Sequence, residues 1–171
     1  MDSAQPVVYK FNRFANIDSG SLSDSEINSL VAVALDAVSR KYESGRTLCI
    51  DKPGKLMSYL RLELLELKHE IFGVIYLDNK HRIIEMEHLF RGSISGCSVY
   101  PRTVAERCLE LKAAAICVYH NHPSGDYNPS SADIRLTRRL KDTLSLLDVR
   151  FLDHIIVGSD GCLSFAEKGY I

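Results

Sequence analysis

The sequence predicts an α/β domain, a mixed sheet flanked by helices. Three observations carry this. Helical stripes and short apolar runs alternate in the order ααββαβαββ, rather than gathering into separate helical and strand regions. The runs Ile71 to Leu77 and Ala113 to Tyr119 are apolar at successive positions, as interior strands are. The chain has 171 residues, 46% apolar and 25% charged, enough for one ordinary domain with its own core.

Residues 1–22 show no helical periodicity and read as an N-terminal arm, in which Val7-Val8-Tyr9-Lys10-Phe11 could add an edge strand. Residues 23–171 read as a single domain, because no repeat and no linker divides them. Ser23-x-x-Glu26 is a capping-box pattern, and Ile27, Leu30, Val31, Ala34, Leu35, Val38 and Tyr42 follow on one helical face. Gly45 suits the end of this helix. Pro53 suits the first turn of a second, with Leu56, Met57, Leu60, Leu64, Leu65 and Leu67 as its apolar face. The strand Ile71 to Leu77 leads through the turn Asp78-Asn79-Lys80 into a segment from Arg82 to Phe90. There Ile84, Met86 and Phe90 alternate with Glu85 and Glu87, predicting a half-solvated strand paired as a hairpin.

Pro101 opens a helix through Val104, Ala105, Cys108, Leu109 and Leu111. The strand from Ala113 to Tyr119 then delivers His120 at its end. Ser131 to Leu147 reads as a helix with Ile134, Leu136, Leu140, Leu144 and Leu147 inward. Arg135, Arg138, Arg139 and Lys141 span more than one of its faces and read as solvated surface. Val149 to Val157 and Cys162 to Phe165 close the chain as two strands.

A net charge of −1 gives nucleic acid no support at the level of the whole chain. Five scattered cysteines, Cys49, Cys97, Cys108, Cys117 and Cys162, contain no Cys-x-x-Cys pair, which argues against a disulfide framework and a thiolate zinc site. The longest apolar run is too short to span a bilayer, and the N-terminus opens without a basic or apolar leader. The expected setting is cytoplasmic, with no membrane partner.

The chemistry concentrates between Tyr119 and Asp133. On an extended segment residues i and i+2 project to one side, so His120 and His122 can face one point. The Pro-, Gly- and Asn-rich loop lets Asp133 return there from the next element. Two imidazoles and a carboxylate leave one position open on four-coordinate zinc, the pattern of a catalytic site. Each part also has a plainer role: the histidines as polar residues at a strand end, and Ser130-x-x-Asp133 as a helix cap with an acidic first turn.

His120-x-His122, seven residues, Ser130, two residues and Asp133 match the JAMM signature, and the chain resembles the JAB/MPN metalloprotease superfamily on that match. The string His-Asn-His-Pro-Ser-Gly, with Val99-Tyr100-Pro101-Arg102 and Leu152-Asp153-His154, is similar to its RadC-like branch of bacterial and prophage proteins. The resemblance runs from roughly Pro53 to the C-terminus. It implies a cytidine-deaminase-like JAB/MPN architecture, with residues 23–66 a helical lead-in and 67–171 the metal-binding core. It also implies Zn2+ on His120, His122 and Asp133, with water in the fourth position. The donor types suit zinc, which lowers the pKa of bound water to about 7. Ser130 matches the family's serine, whose hydroxyl would stabilise an oxyanion. The family's general base, a glutamate entering an early strand, falls on Glu70, while Glu85 and Glu87 remain rivals that spacing does not exclude.

Asp153-His154 could stand behind the ligating histidines or simply belong to a strand end, and is left out of the catalytic set. Asp126, beside Gly125, suits a turn better than a further ligand. The expected function is therefore a JAMM-type zinc metallopeptidase or isopeptidase acting on a protein or peptide. The alternative is a DNA-repair-associated factor or metal-dependent nuclease, as the RadC resemblance suggests.

Overall fold

A computed structural model of the chain describes residues 19–43, 53–64, 67–92 and 99–171. The expected strand at Val7 to Phe11 lies outside these, as do Gly45, Cys49, Leu65 and Cys97. After a 3-10 turn at Ser19–Ser21 come α1 (Asp24–Glu43), α2 (Pro53–Leu64), β1 (Ile71–Leu77), β2 (Ile83–Arg91) and α3 (Pro101–Glu110). β3 (Ala115–Asn121), α4 (Ser131–Ser145), β4 (Arg150–Val157) and β5 (Cys162–Ser164) follow. This is the mixed α/β architecture that the sequence predicts.

β3 is the centre of the sheet, whose strand order is β2-β1-β3-β4-β5. All seven of its residues are buried. It pairs antiparallel with β1 and parallel with β4. A parallel neighbour requires a crossover, and α4 supplies it. Val104 and Cys108 of α3 pack on one face of the sheet with Leu136, Leu140 and Leu144 of α4, against Phe72, Val74, Ile116 and Val118. On the other face Leu56, Leu60 and Leu64 of α2 meet Ile75, Cys117, Tyr119 and Ile155. At roughly 1.5–3 kcal/mol per buried leucine, these stripes are the main tie between helices and sheet.

Three local features depart from the sequence expectations. First, β2 carries two irregularities against β1, between Phe72 and Gly73 and between Tyr76 and Leu77. Strict alternation would place Ile84 and Met86 on one face. The irregularity instead puts Ile84 with the α3–α4 cluster and Met86 with the α2 cluster. Second, β3 begins at Ala115 rather than Ala113 and runs through His120. α3 ends in a Schellman turn, with Ala113 N–H donating to Cys108 O (2.9 Å) and Lys112 at φ 53°. That turn consumes the two residues. Third, the described part of the expected apolar stripe of α1 is not core: Ile27 and Ala34 are exposed, and Leu30 and Val31 are half-buried. Its start does use Ser23, whose N–H (2.9 Å) and hydroxyl (2.6 Å) both donate to the Glu26 carboxylate.

Gly73 admits the Tyr119 ring across the β1–β3 pairing. A Cβ at this position would lie 2.1 Å from the ring's Cζ. Tyr119 is fully buried. Gly73→Ala is expected to destabilise the fold by about 1–3 kcal/mol, the usual range for overpacking, as read by urea denaturation. An unchanged midpoint would show that the ring moves freely.

Candidate metal centre

The carboxyl end of β3 and the first turn of α4 meet where the parallel strands β3 and β4 finish. His120, paired in register with Phe72 of β1 and Ile156 of β4, lies inside the strand and is fully buried. His122 follows just past its end, tied by its N–H to Val157 O of β4 (2.9 Å), and is half-buried. The extended backbone aims both rings at one point, with their Nε2 atoms 2.8 Å apart.

Asp133 reaches the same point from α4. Its Oδ1 lies 3.5 Å from His120 Nε2 and its Oδ2 3.6 Å from His122 Nε2. The helix cap aims it. Ser130 N–H donates to Asp133 Oδ2 (2.7 Å), and Asp133 N–H donates to Ser130 Oγ (3.2 Å), a reciprocal capping box. The capping role of Ser130 and the placement of Asp133 are thus one interaction, not competing readings. The acceptor Asp126 O lies 2.6 Å from His122 Nδ1. A carbonyl only accepts, so Nδ1 carries the proton and Nε2 of the neutral ring is bare. Asp126 itself is a turn residue, its Oδ1 accepting from Asn128 N–H (2.9 Å).

His120, His122 and Asp133 each offer one donor atom, all within 4.8 Å of one another, and this group could hold a metal ion. The set fits zinc in donor type, and its separations of 2.8, 3.5 and 3.6 Å bracket the roughly 3.3 Å between ligands that lie about 2 Å from one ion. The two imidazole nitrogens are turned towards each other, as ligands of a shared ion would be. Burial on His120, reinforced by the adjacent His154 ring, depresses its pKa well below the usual histidine range. His122 is shifted up, chiefly by Asp133, with the Asp126 carbonyl and the Glu70 carboxylate adding to it. Burial works against ionisation of Asp133, but the His122 and His120 rings and Ser130 outweigh it and hold the carboxyl far below its usual range.

Glu70 immediately precedes β1, two residues before Phe72, the register partner of His120. Its charge is felt at His122. The rival carboxylates are engaged elsewhere. Glu87 is gripped by Arg107 of α3, whose Nε lies 2.8 Å from Oε1 and 3.0 Å from Oε2. Glu85 is exposed and opposite Tyr76, four residues along β1 from the register position of His120. Asp153 accepts from Ser164 Oγ (2.6 Å) and Ala166 N–H (3.0 Å), anchoring the C-terminal turn. Its neighbour His154, left out of the expected site, has Nε2 2.8 Å from His120 Nδ1. Strand alternation separates the two side chains, and that is the signal by which His154 could have been told from Asp153. A cavity of about 90 Å³ borders His122, lined by Arg61, Leu64, Leu67, Pro123, Val157 and Ser159 among others.

A mixed sheet carrying a His-x-His pair at a strand end and an aspartate on the next helix defines a JAB-type α/β domain. The family model described as a RadC-like JAB domain matches residues 50–170, and the chain belongs to that family. A UPF0758 protein of Vibrio cholerae serotype O1 is 48% identical over 138 residues, covering 81% of this chain and 85% of its own length. One from Leptothrix cholodnii is 45% identical over 152 residues, 89% of this chain and 68% of its own. Another, from Stutzerimonas stutzeri, is 50% identical over 126 residues, and there the match spans 56% of the relative. No helix among the described residues is long and apolar enough to cross a membrane.

The buried rings make stability depend on pH. Burial pushes His154 down to about 3, and His120 is depressed as well. The unfolded chain takes up protons on both near pH 6.5, while the folded chain resists, so stability falls as pH drops below that value. His122 acts in the opposite sense, but its contribution is complete by about pH 6.5, and Asp133 changes only below about pH 4. Between pH 6 and 4 the metal-free protein should lose stability at up to about 1.4 kcal/mol per pH unit per ring. Denaturation midpoints that stay level across this interval would contradict neutral burial of the pair.

Proposed function

We propose that the chain is a JAMM-type zinc-dependent hydrolase that cleaves an amide or isopeptide bond in a protein or peptide. The observation that carries this reading is the convergence of His120, His122 and Asp133 from two elements, each backed by its own hydrogen bond. When bound, zinc supplies Lewis-acid activation of water and of the scissile carbonyl.

The chain's own groups do the rest. Glu70, close enough to His122 to influence its charge, accepts the proton of the attacking water and passes it to the leaving amine. Ser130 accepts from Asp133 N–H and keeps its hydroxyl proton, which it can donate to a developing oxyanion. His120 and Asp133 are closed to solvent, whereas 18% of the His122 side chain is exposed. Substrate therefore approaches from the His122 side, where the adjoining cavity can take one side chain with Arg61 at hand for a carboxylate or carbonyl. A nuclease would draw on the same activated water, but a net charge of −1 offers a polyanion little attraction.

Purified protein should carry about one equivalent of zinc by elemental analysis, and His122→Ala should lose most of it. Stoichiometric zinc in that variant would remove the basis of the assignment. Glu70→Gln should retain zinc while hydrolysis of a mixed peptide and isopeptide substrate set falls at least about 100-fold. Full turnover by Glu70→Gln would transfer the base role to another carboxylate.

A further inference from the structure

His154 and Thr137 have no part in the chemistry above, yet both lie against the site and are buried. The His154 ring is stacked on Phe165 (centroids 4.7 Å, planes 28° apart) and meets Phe72 edge-on (5.9 Å), so its plane is held by packing. Its Nδ1 lies 2.6 Å from Thr137 Oγ1, and its Nε2 lies 2.8 Å from His120 Nδ1. Thr137 has one hydroxyl proton, and Oγ1 also lies 2.7 Å from the Asp133 carbonyl, which can only accept. Giving that proton to Asp133 O lets Thr137 Oγ1 receive the Nδ1–H of His154. The Nε2 of His154 is then bare and accepts from His120 Nδ1–H. His120 is left with a bare Nε2 facing His122 and Asp133. On this assignment each link follows from the one before it, starting at the backbone of the helix that carries Asp133, and the contact left without a proton is the one between His120 and His122.

We propose that Thr137 and His154 form a relay that locks His120 into its Nδ1–H tautomer and so presents its Nε2 lone pair to a metal ion. They are positioning residues, acting through His120 on the coordination site. The proposal rests on the metal reading only for its consequence in affinity, because the tautomer belongs to the metal-free protein.

Long-range 1H–15N correlation spectra of metal-free, 15N-labelled protein read the tautomer directly. Wild-type His120 should be protonated at Nδ1 and bare at Nε2. His154→Phe keeps an aromatic ring between Phe72 and Phe165 but removes the acceptor, and should shift His120 towards the Nε2–H form. Zinc affinity, measured by competition with a chromophoric chelator, should fall about 10–100-fold. His154→Gln, whose amide can accept from His120 and donate to Thr137, should recover most of both. Thr137→Val, close in shape, should move the tautomer and the affinity in the same direction as His154→Phe, and carries the test if that variant fails to fold.

A wild-type His120 protonated at Nε2, or an unchanged tautomer in Thr137→Val, would overturn the relay. So would equal losses in His154→Phe and His154→Gln with the tautomer untouched, the pattern of a packing role. Wild-type protein that binds no zinc yet shows the tautomer shifts would sink the hydrolase reading and leave the relay standing.

Discussion

Two imidazole nitrogens held 2.8 Å apart beside a buried carboxylate are the constraint on which the rest of the site depends. Polar atoms removed from water cost about 1–3 kcal/mol each when unpaired. Here the surroundings satisfy the outward-facing atoms and leave the inward ones to face each other. The Asp126 carbonyl lies against one side of His122, His154 against the far side of His120, and Ser130 N–H holds one oxygen of Asp133. A strand end without a ligand would be expected to turn such groups outward. The arrangement makes physical sense around a cation.

The sheet explains why these groups meet. β3 and β4 are parallel, so the chain must cross between them, and α4 begins after the loop that leaves β3. Its first turn therefore stands over the carboxyl ends of both strands, the position where open α/β sheets place their ligands. Leu136, Leu140 and Leu144 hold that helix down on the core. The same burial keeps Asp133 in place, three residues before Leu136, and Thr137 one turn further on. Core packing and site geometry are consequences of a single helical stripe.

Much of this was legible in the residues. The two-residue spacing of His120 and His122, the turn-rich loop and the Ser130-x-x-Asp133 cap all appear in the structure as the sequence implies. Element ends were less legible, because the Schellman turns after α3 and α4 use Lys112 and Asp148 at positive φ rather than a glycine. The face on which each β2 side chain lies was also hidden, since an irregular register leaves no mark in composition. That is why spacing could not choose among Glu70, Glu85 and Glu87, whereas the Arg107 grip on Glu87 and the distant register of Glu85 narrow the field. His154 was passed over for a related reason. Read as a dipeptide, Asp153-His154 looks like one feature, but a strand sends its members to different partners.

The two histidines, alike in sequence, differ in circumstance, and the difference gives the site a direction. His120 is sealed in, neutral, and braced by His154 and the aromatic rings packed on it. His122 borders solvent, stands in the field of Glu70 and adjoins the cavity that Arg61 helps to line. Under the proposed function the inner half would hold the ion, and the outer half is where a base and a substrate would reach it. Rigidity on one side and access on the other are what the proposed hydrolysis would demand. In this chain both follow from where β3 ends: one histidine falls inside the strand and its partner, two residues later, falls beyond it.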